Sequence, residues 1–198
     1  LDLAYPDPNI SRPRIYNRPR RLEIVFQNLF QQPDIPQGEA AALSLRKNRF
    51  RLSITYNPTY TTAPGRTLTH DLRPDVVVDS QHPRGEHKIH AFDAKYRREA
   101  APSGTWLPLA EDIDRMHAYR DAIGQLTPNA FTRILQSAIV LYPAPLDTRY
   151  HTHPFYKSLS HGVGALPLLP GDSQTQKAFQ AYIQNNVLKN PPPNQSSL

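Results

Sequence analysis

The 198-residue chain has no cysteine, a single methionine, a single tryptophan and only eight glycines. Without cysteine, disulfides and thiolate metal sites are excluded. No apolar run approaches the ~18–20 residues of a membrane span, and no signal peptide is evident at the start, so a cytoplasmic protein with no membrane partner is expected. No internal repeat is visible. No glycine-rich phosphate loop of the G-x-x-x-x-G-K-[ST] type is present, so nucleotide hydrolysis by that route is excluded. Eight histidines are present, with His151, His153 and His161 the densest group. No acidic partner stands at recognisable zinc-ligand spacing from them, and a surface-loop cluster is expected.

Proline, by contrast, is abundant: 21 residues, roughly twice the usual ~5% share. Many cluster in Leu1–Pro36 and Pro191–Pro193, which read as irregular arms. The expected organisation is a proline-rich arm over 1–19, one domain over 20–189 and a disordered tail over 190–198. A start at Leu1 in place of Met fits a piece of a longer protein. The formal net charge of +6 and pI near 9.6 suit a polyanionic partner, although many basic proteins bind no nucleic acid.

Hydrophobic spacing gives an order of elements. Leu22, Val25, Phe26, Leu29 and Phe30 recur at helical spacing, which predicts an amphipathic helix over Arg20–Gln32. Gly38–Asn48 is ambiguous. Phe50–Tyr56 reads as a strand and Asn57–Asp71 as a loop. Arg73–Val78 and His90–Tyr96 read as short buried strands about a polar turn at His82-Pro83-Arg84-Gly85. That turn and its continuation through Lys88 are expected to be solvated. A loop over Ala101–Pro108 precedes a helix over Glu111–Gln125. Ile134–Tyr142 and Gly162–Leu169 follow as strands, and Ser173 is a plausible N-cap for a helix through Lys189 with Phe179, Tyr182, Ile183 and Val187 on one face.

The two buried strands carry charge where a core strand normally carries none. Asp75 opens the first. Asp93 and Lys95 lie two apart on the second and share one face. Two carboxylates can hold a hard divalent cation through oxygen, and a lysine beside them can steer a water or balance developing negative charge. Metal-dependent phosphodiester hydrolysis uses this set. Taken singly, Pro74-Asp75 is also a common turn pair, and Asp93 with Lys95 also fits a same-face ion pair.

Pro74-Asp75 followed by Asp93-Ala94-Lys95 resembles the PD-(D/E)XK nuclease superfamily. The closer likeness is to the branch of McrC-like restriction subunits, carried by Asp93-Ala94-Lys95-Tyr96 and the later Met116-His117-Ala118-Tyr119-Arg120-Asp121-Ala122-Ile123. The resemblance covers roughly Phe50–Pro143. It implies an α/β fold, a restriction-endonuclease-like mixed sheet of order α-β-β-β-α-β flanked by helices. It implies Mg²⁺ (or Mn²⁺) held by Asp75, Asp93 and the Ala94 carbonyl, with Lys95 positioning water. It implies hydrolysis of DNA to 5′-phosphate and 3′-hydroxyl ends, in restriction or antiviral defence; with no phosphate loop in this sequence, an NTPase or specificity subunit is expected to be separate or on a further part of a longer chain.

The family also takes an acid from its first helix. The candidate is Glu23, in Leu22-Glu23 where relatives often carry an aromatic-Glu pair, with Glu39 or a residue upstream of Leu1 as alternatives. On the later helix, Ile113, Met116 and Ile123 define the expected buried face, with His117 and Arg120 projecting onto it and Tyr119 at its flank. The resemblance makes His117, Tyr119 and Arg120 nucleic-acid contacts. The alternative is a structural ion pair for Arg120 and a satisfied core position for His117. A nuclease-fold binding or scaffold domain without turnover, and an RNA nuclease with the same chemistry, are the other readings. The sequence leaves the oligomeric state open.

Overall fold

A computed structural model describes residues 42–47 and 50 by backbone and residues 51–63, 65–82 and 86–188 with their side chains. Arg20–Gln32 with Glu23, Glu39, the arm over 1–19, the tail over 190–198 and the turn residues Pro83, Arg84 and Gly85 lie outside the described residues.

The ambiguous segment carries a strand, β1 (Ala42–Lys47), paired antiparallel with β2 (Phe50–Tyr56). β3 (Val76–Gln81) starts on three consecutive valines, whose branched side chains favour the pleated surface. β4 (His87–Ala94) pairs antiparallel with β3, Val76 opposite Phe92 and Val78 opposite His90. Strand β4 starts earlier than its pattern suggested and ends before Lys95. Asp75 likewise sits in a bend just ahead of β3 rather than opening it.

Within the expected loop, β5 (Glu99–Ala100) and β6 (Trp106–Leu107) form a small hairpin. Helix α1 (Ala110–Ala122) ends three residues earlier than predicted, because Ile123 turns extended and Gly124 opens a second hairpin of β7 (Gly124–Thr127) and β8 (Ala130–Arg133). β9 (Leu135–Tyr142) then lies parallel to β4. Two 3₁₀ turns flank a short helix, α2 (Pro154–Lys157), before β10 (Val163–Pro167) joins parallel to β9. Helix α3 (Ser173–Tyr182) runs into a π-helical stretch, Ile183–Leu188. Its N-cap is Asp172 rather than Ser173: the Asp172 carboxylate accepts the Gln174 amide at 2.8 Å.

The main sheet is mixed, in the order β1-β2-β3-β4-β9-β10. Helices cover both faces of its centre, which explains why Ile89–Asp93 is buried continuously and does not alternate. One face packs Val77, Ala91, Ala138 and Val140 with Ile113 and Met116 of α1. On the other, Phe92 meets Phe179 and Tyr182 edge-on at 5.6 and 6.3 Å. The predicted stripe on the last helix holds, with Phe179, Ile183 and Val187 buried. The expected solvated turn is solvated only in part. His82 is buried, with Nε2 3.3 Å from the Val187 carbonyl, because the π-helical stretch closes over that end of the hairpin. The dense histidine group has structural uses: His153 accepts the Phe155 amide as N-cap of α2 and stacks on Tyr150.

Candidate active site

Strand register brings the charged residues together. Val76 pairs with Phe92, so Asp75 falls opposite Asp93 at the end of the β3–β4 ladder. The Asp75 carboxylate accepts the Ala94 amide at 2.7 Å, and Lys95 Nζ donates to Asp93 Oδ2 at 2.9 Å. Lys95 lies just past the strand, yet its side chain returns to the Asp93 face, as the two-residue spacing predicts. Asp93 is only 2% exposed, and Asp75 and Lys95 are half-buried.

Three contacts fix the Asp75 bend. The Asn57 amide donates to the Asp75 carbonyl at 2.7 Å, from a residue held at φ +48°. The Ala94 amide holds the carboxylate. The Tyr119 hydroxyl donates to the Arg73 carbonyl at 3.0 Å. The acid is therefore oriented through its backbone on both sides, which limits the reorganisation needed when charge develops nearby.

Burial pushes the Asp75 carboxyl up to about 7, aided by hydrogen bonding to and the charge of Asp93; the Ala94 amide and Lys95 oppose the shift less strongly. The two carboxylates thus crowd one strand end, where the charge of Asp93 opposes ionisation of Asp75. Burial also raises Tyr119, and the charge of Asp93 adds to the shift.

This donor set fits a hard divalent cation. Two crowded carboxylates supply the oxygen ligands, and their mutual repulsion is what a cation would relieve. Among the described residues no group of three His, Asp or Glu side chains could hold a metal. Mg²⁺ in particular needs no all-protein cage: one or two carboxylates, waters and substrate phosphate suffice.

Helix α1 sits differently from its predicted orientation. Its buried residues are Asp112, Ile113, Met116 and Tyr119, with Ile123 beyond its end. At about 100° per residue this rotates the buried face by some tens of degrees towards Asp112 and Tyr119. His117 therefore points to solvent and Arg120 stands half-buried at the edge. Tyr119, expected at the flank, is 3% exposed and braces Arg73 from inside. The guanidinium of Arg120 lies over Gly162, whose left-handed φ of +82° and missing Cβ leave it room. There it lines a polar hollow with His90, Gln136 and Ser137 at the N-terminal ends of the parallel strands. Asp93 and Lys95 stand at the other ends, so Arg120 does not join the carboxylate pair.

The charge that α1 buries is Asp112, a residue to which the sequence reading gave no part. Arg97 Nη2 reaches Asp112 Oδ1 at 2.9 Å and also Glu111. That clamp ties the segment after Lys95 to the first turn of α1, where carboxylates also suit the helix dipole. The available signal was Asp112 directly before Ile113, on the apolar side of the helix.

A family model described as the PD-(D/E)XK nuclease superfamily matches residues 22–147, well over half of the chain. The match spans five of the six strands of the mixed sheet (β1–β4 and β9), the bend before β3 and the Asp93-Ala94-Lys95 strand end. The chain belongs to the PD-(D/E)XK nuclease superfamily. No curated protein and no solved structure matches it.

Proposed function

We propose that this chain is a Mg²⁺-dependent nuclease that hydrolyses DNA phosphodiester bonds. The observation that carries the reading is the meeting of Asp75, Asp93 and Lys95 at one sheet end, where Asp75 accepts the Ala94 amide and Asp93 accepts Lys95. Members of this superfamily are generally nucleases that use divalent ions, and the donor set here suits one. Asp75 and Asp93, with the Ala94 carbonyl, would hold Mg²⁺ (or Mn²⁺). When bound, the ion supplies Lewis acidity and lowers the pKa of its water.

The residues of the chain do the rest. Asp93 orients Lys95 through the 2.9 Å contact. The Lys95 ammonium, partly exposed at the site, positions the attacking water and balances charge on the phosphate. Glu23 is the candidate for a further acid. His117 and Arg120, lying away from the pair, would meet phosphates flanking the scissile bond. Arg120 has no ion-pair partner among the described residues. The basic charge balance supports a polyanionic substrate. A McrC-like role in restriction or antiviral defence, with a separate NTPase or specificity subunit, rests on the Asp93-Ala94-Lys95-Tyr96 and Met116–Ile123 likeness.

The test is incubation of purified protein with labelled plasmid, linear DNA and RNA in Mg²⁺, Mn²⁺ or EDTA. Cutting of DNA in Mg²⁺ but not EDTA is expected. Cutting of RNA alone would favour the RNA nuclease reading, and binding without cutting of either would favour a silent scaffold.

A further inference from the structure

Among the described residues, four large apolar side chains are well exposed: Leu68, Tyr96, Trp106 and Leu126. The two aromatic ones lie on the segment that leaves the candidate active site. Tyr96 directly follows Lys95 and is 86% exposed. A ring so exposed contributes little to the core, and its place in the chain is fixed by the Arg97 clamp one residue on. Trp106, 38% exposed, is firmly mounted. The Arg98 guanidinium lies 4.1 Å from its ring centroid, and Arg98 is in turn held by the Pro143 carbonyl. The Tyr142 hydroxyl holds the Trp106 carbonyl at 3.3 Å, and Ala100 pairs with Trp106 across the hairpin. Through the Ala100–Trp106 pairing, chain reach puts Trp106 within about 24 Å of Lys95, a span of a few nucleotides.

Of the cations around these rings, Lys95 is engaged by Asp93 and Arg97 by Glu111 and Asp112. Among the described residues Arg98 has no carboxylate partner, in contrast to Arg97. Exposed aromatic rings beside an arginine with no carboxylate partner are the features that bind unpaired strands: bases stack on the rings and phosphates meet the cation. A duplex keeps its bases stacked inside and offers the rings nothing.

We propose that Tyr96 and Trp106, with Arg98, form a stacking ledge for the unpaired bases of a nucleic-acid strand as it leaves the carboxylate site. The ledge rests on the nuclease reading and narrows its substrate to strands with an unpaired stretch beside the cut.

Trp106 is the only tryptophan in the chain, so its fluorescence reports this ledge alone. The experiment titrates the full chain, in EDTA, with a single-stranded oligothymidine and with a duplex of equal length. It compares wild type, Tyr96→Ala and Tyr96→Phe, with melting temperatures and Mg²⁺-dependent cutting measured in parallel. The single strand should quench Trp106. Tyr96→Ala should weaken its binding about tenfold, in the range for losing one base–aromatic stack. Tyr96→Phe should stay within about twofold of wild type, and duplex binding should be equal in all three. Single-strand binding without change in Trp106 fluorescence, or unaffected by Tyr96→Ala, overturns the ledge even if the protein cuts DNA. No binding of the single strand at all overturns it equally. Quenching and the Tyr96 effect without cutting in any divalent ion uphold the ledge and overturn the nuclease reading. A fall in melting temperature shared by Tyr96→Ala and Tyr96→Phe, with affinity following the melt rather than the ring, assigns Tyr96 a structural role and also overturns it.

Discussion

Replacing Asp75 by asparagine should stabilise the metal-free protein at alkaline pH. The Asp75 carboxyl sits at about 7, against 3.8 for an unperturbed side chain. Its folded value lies above its unfolded one, so the folded state holds the extra proton between about pH 4 and 7. The contribution of this group to stability is therefore greatest below that window and is lost as pH rises through 7. Three units at about 1.4 kcal/mol each give an upper limit of about 4 kcal/mol. Asp75 is only half-buried, and solvent screening reduces this to about 2 kcal/mol. For a chain of this size that is roughly 4–8 °C of melting temperature. Asparagine keeps an oxygen for the Ala94 amide, so that 2.7 Å bond survives the change. The assay is a set of melts of wild type and Asp75→Asn from pH 5 to 8.5, with EDTA and with millimolar Mg²⁺. The difference between the two proteins should be small at pH 5 and grow towards pH 8, with the mutant the more stable. Mg²⁺ should then raise wild type by mass action and leave the mutant almost unchanged. A mutant clearly less stable than wild type at pH 8 in EDTA, and gaining as much from Mg²⁺, would make Asp75 a structural bend residue and refute the shared site.

Other outcomes follow from the same geometry. Lys95→Ala should abolish cutting while DNA affinity, set by many phosphate contacts, changes little in a filter-binding or anisotropy measurement. Arg120→Gln should flatten the log–log salt dependence of DNA affinity by nearly one unit; a lowered melt with an unchanged slope would make Arg120 structural instead. Arg97→Ala strips the buried Asp112 of its cation and should lower the melting temperature more than Arg133→Ala, which opens only an exposed pair with Asp121. His90, held down to about 4 mainly by burial and also by Lys88, is neutral in the fold. Its folded value lies below its unfolded one, so its contribution is present above pH 6.5 and is lost as pH falls towards 4, at up to about 1.4 kcal/mol per unit. His90→Gln should flatten the acid limb of a pH–melting curve.

The carboxylate pair was legible because a strand has a fixed period and a hairpin a fixed register. Asp93 and Lys95, two apart, had to share a face, and the valines after Asp75 had to pair with the strand before Ala94. Helix α1 was read less well. Its buried face was drawn from Ile113, Met116 and Ile123, but Asp112 and Tyr119 also turn inward because each finds a polar partner off the helix, Arg97 for one and the Arg73 carbonyl for the other. Periodicity counts a charge or a hydroxyl as outward-facing and cannot see a partner that folding alone brings near. The same limit hid the His82 contact with the Val187 carbonyl, which joins residues far apart in the chain. The two small hairpins, β5–β6 and β7–β8, are too short for alternation to register.

The central claim is that Asp75, Asp93 and Lys95 form one metal-dependent hydrolytic centre. The most direct measurement is single-turnover cleavage of an end-labelled DNA, with protein in excess, by wild type, Asp93→Asn and Lys95→Ala in Mg²⁺ and in EDTA. The account predicts cutting by wild type in Mg²⁺ only, and none by either mutant although both remain folded and bind the DNA. Cutting by folded Asp93→Asn or Lys95→Ala at the wild-type rate would contradict it.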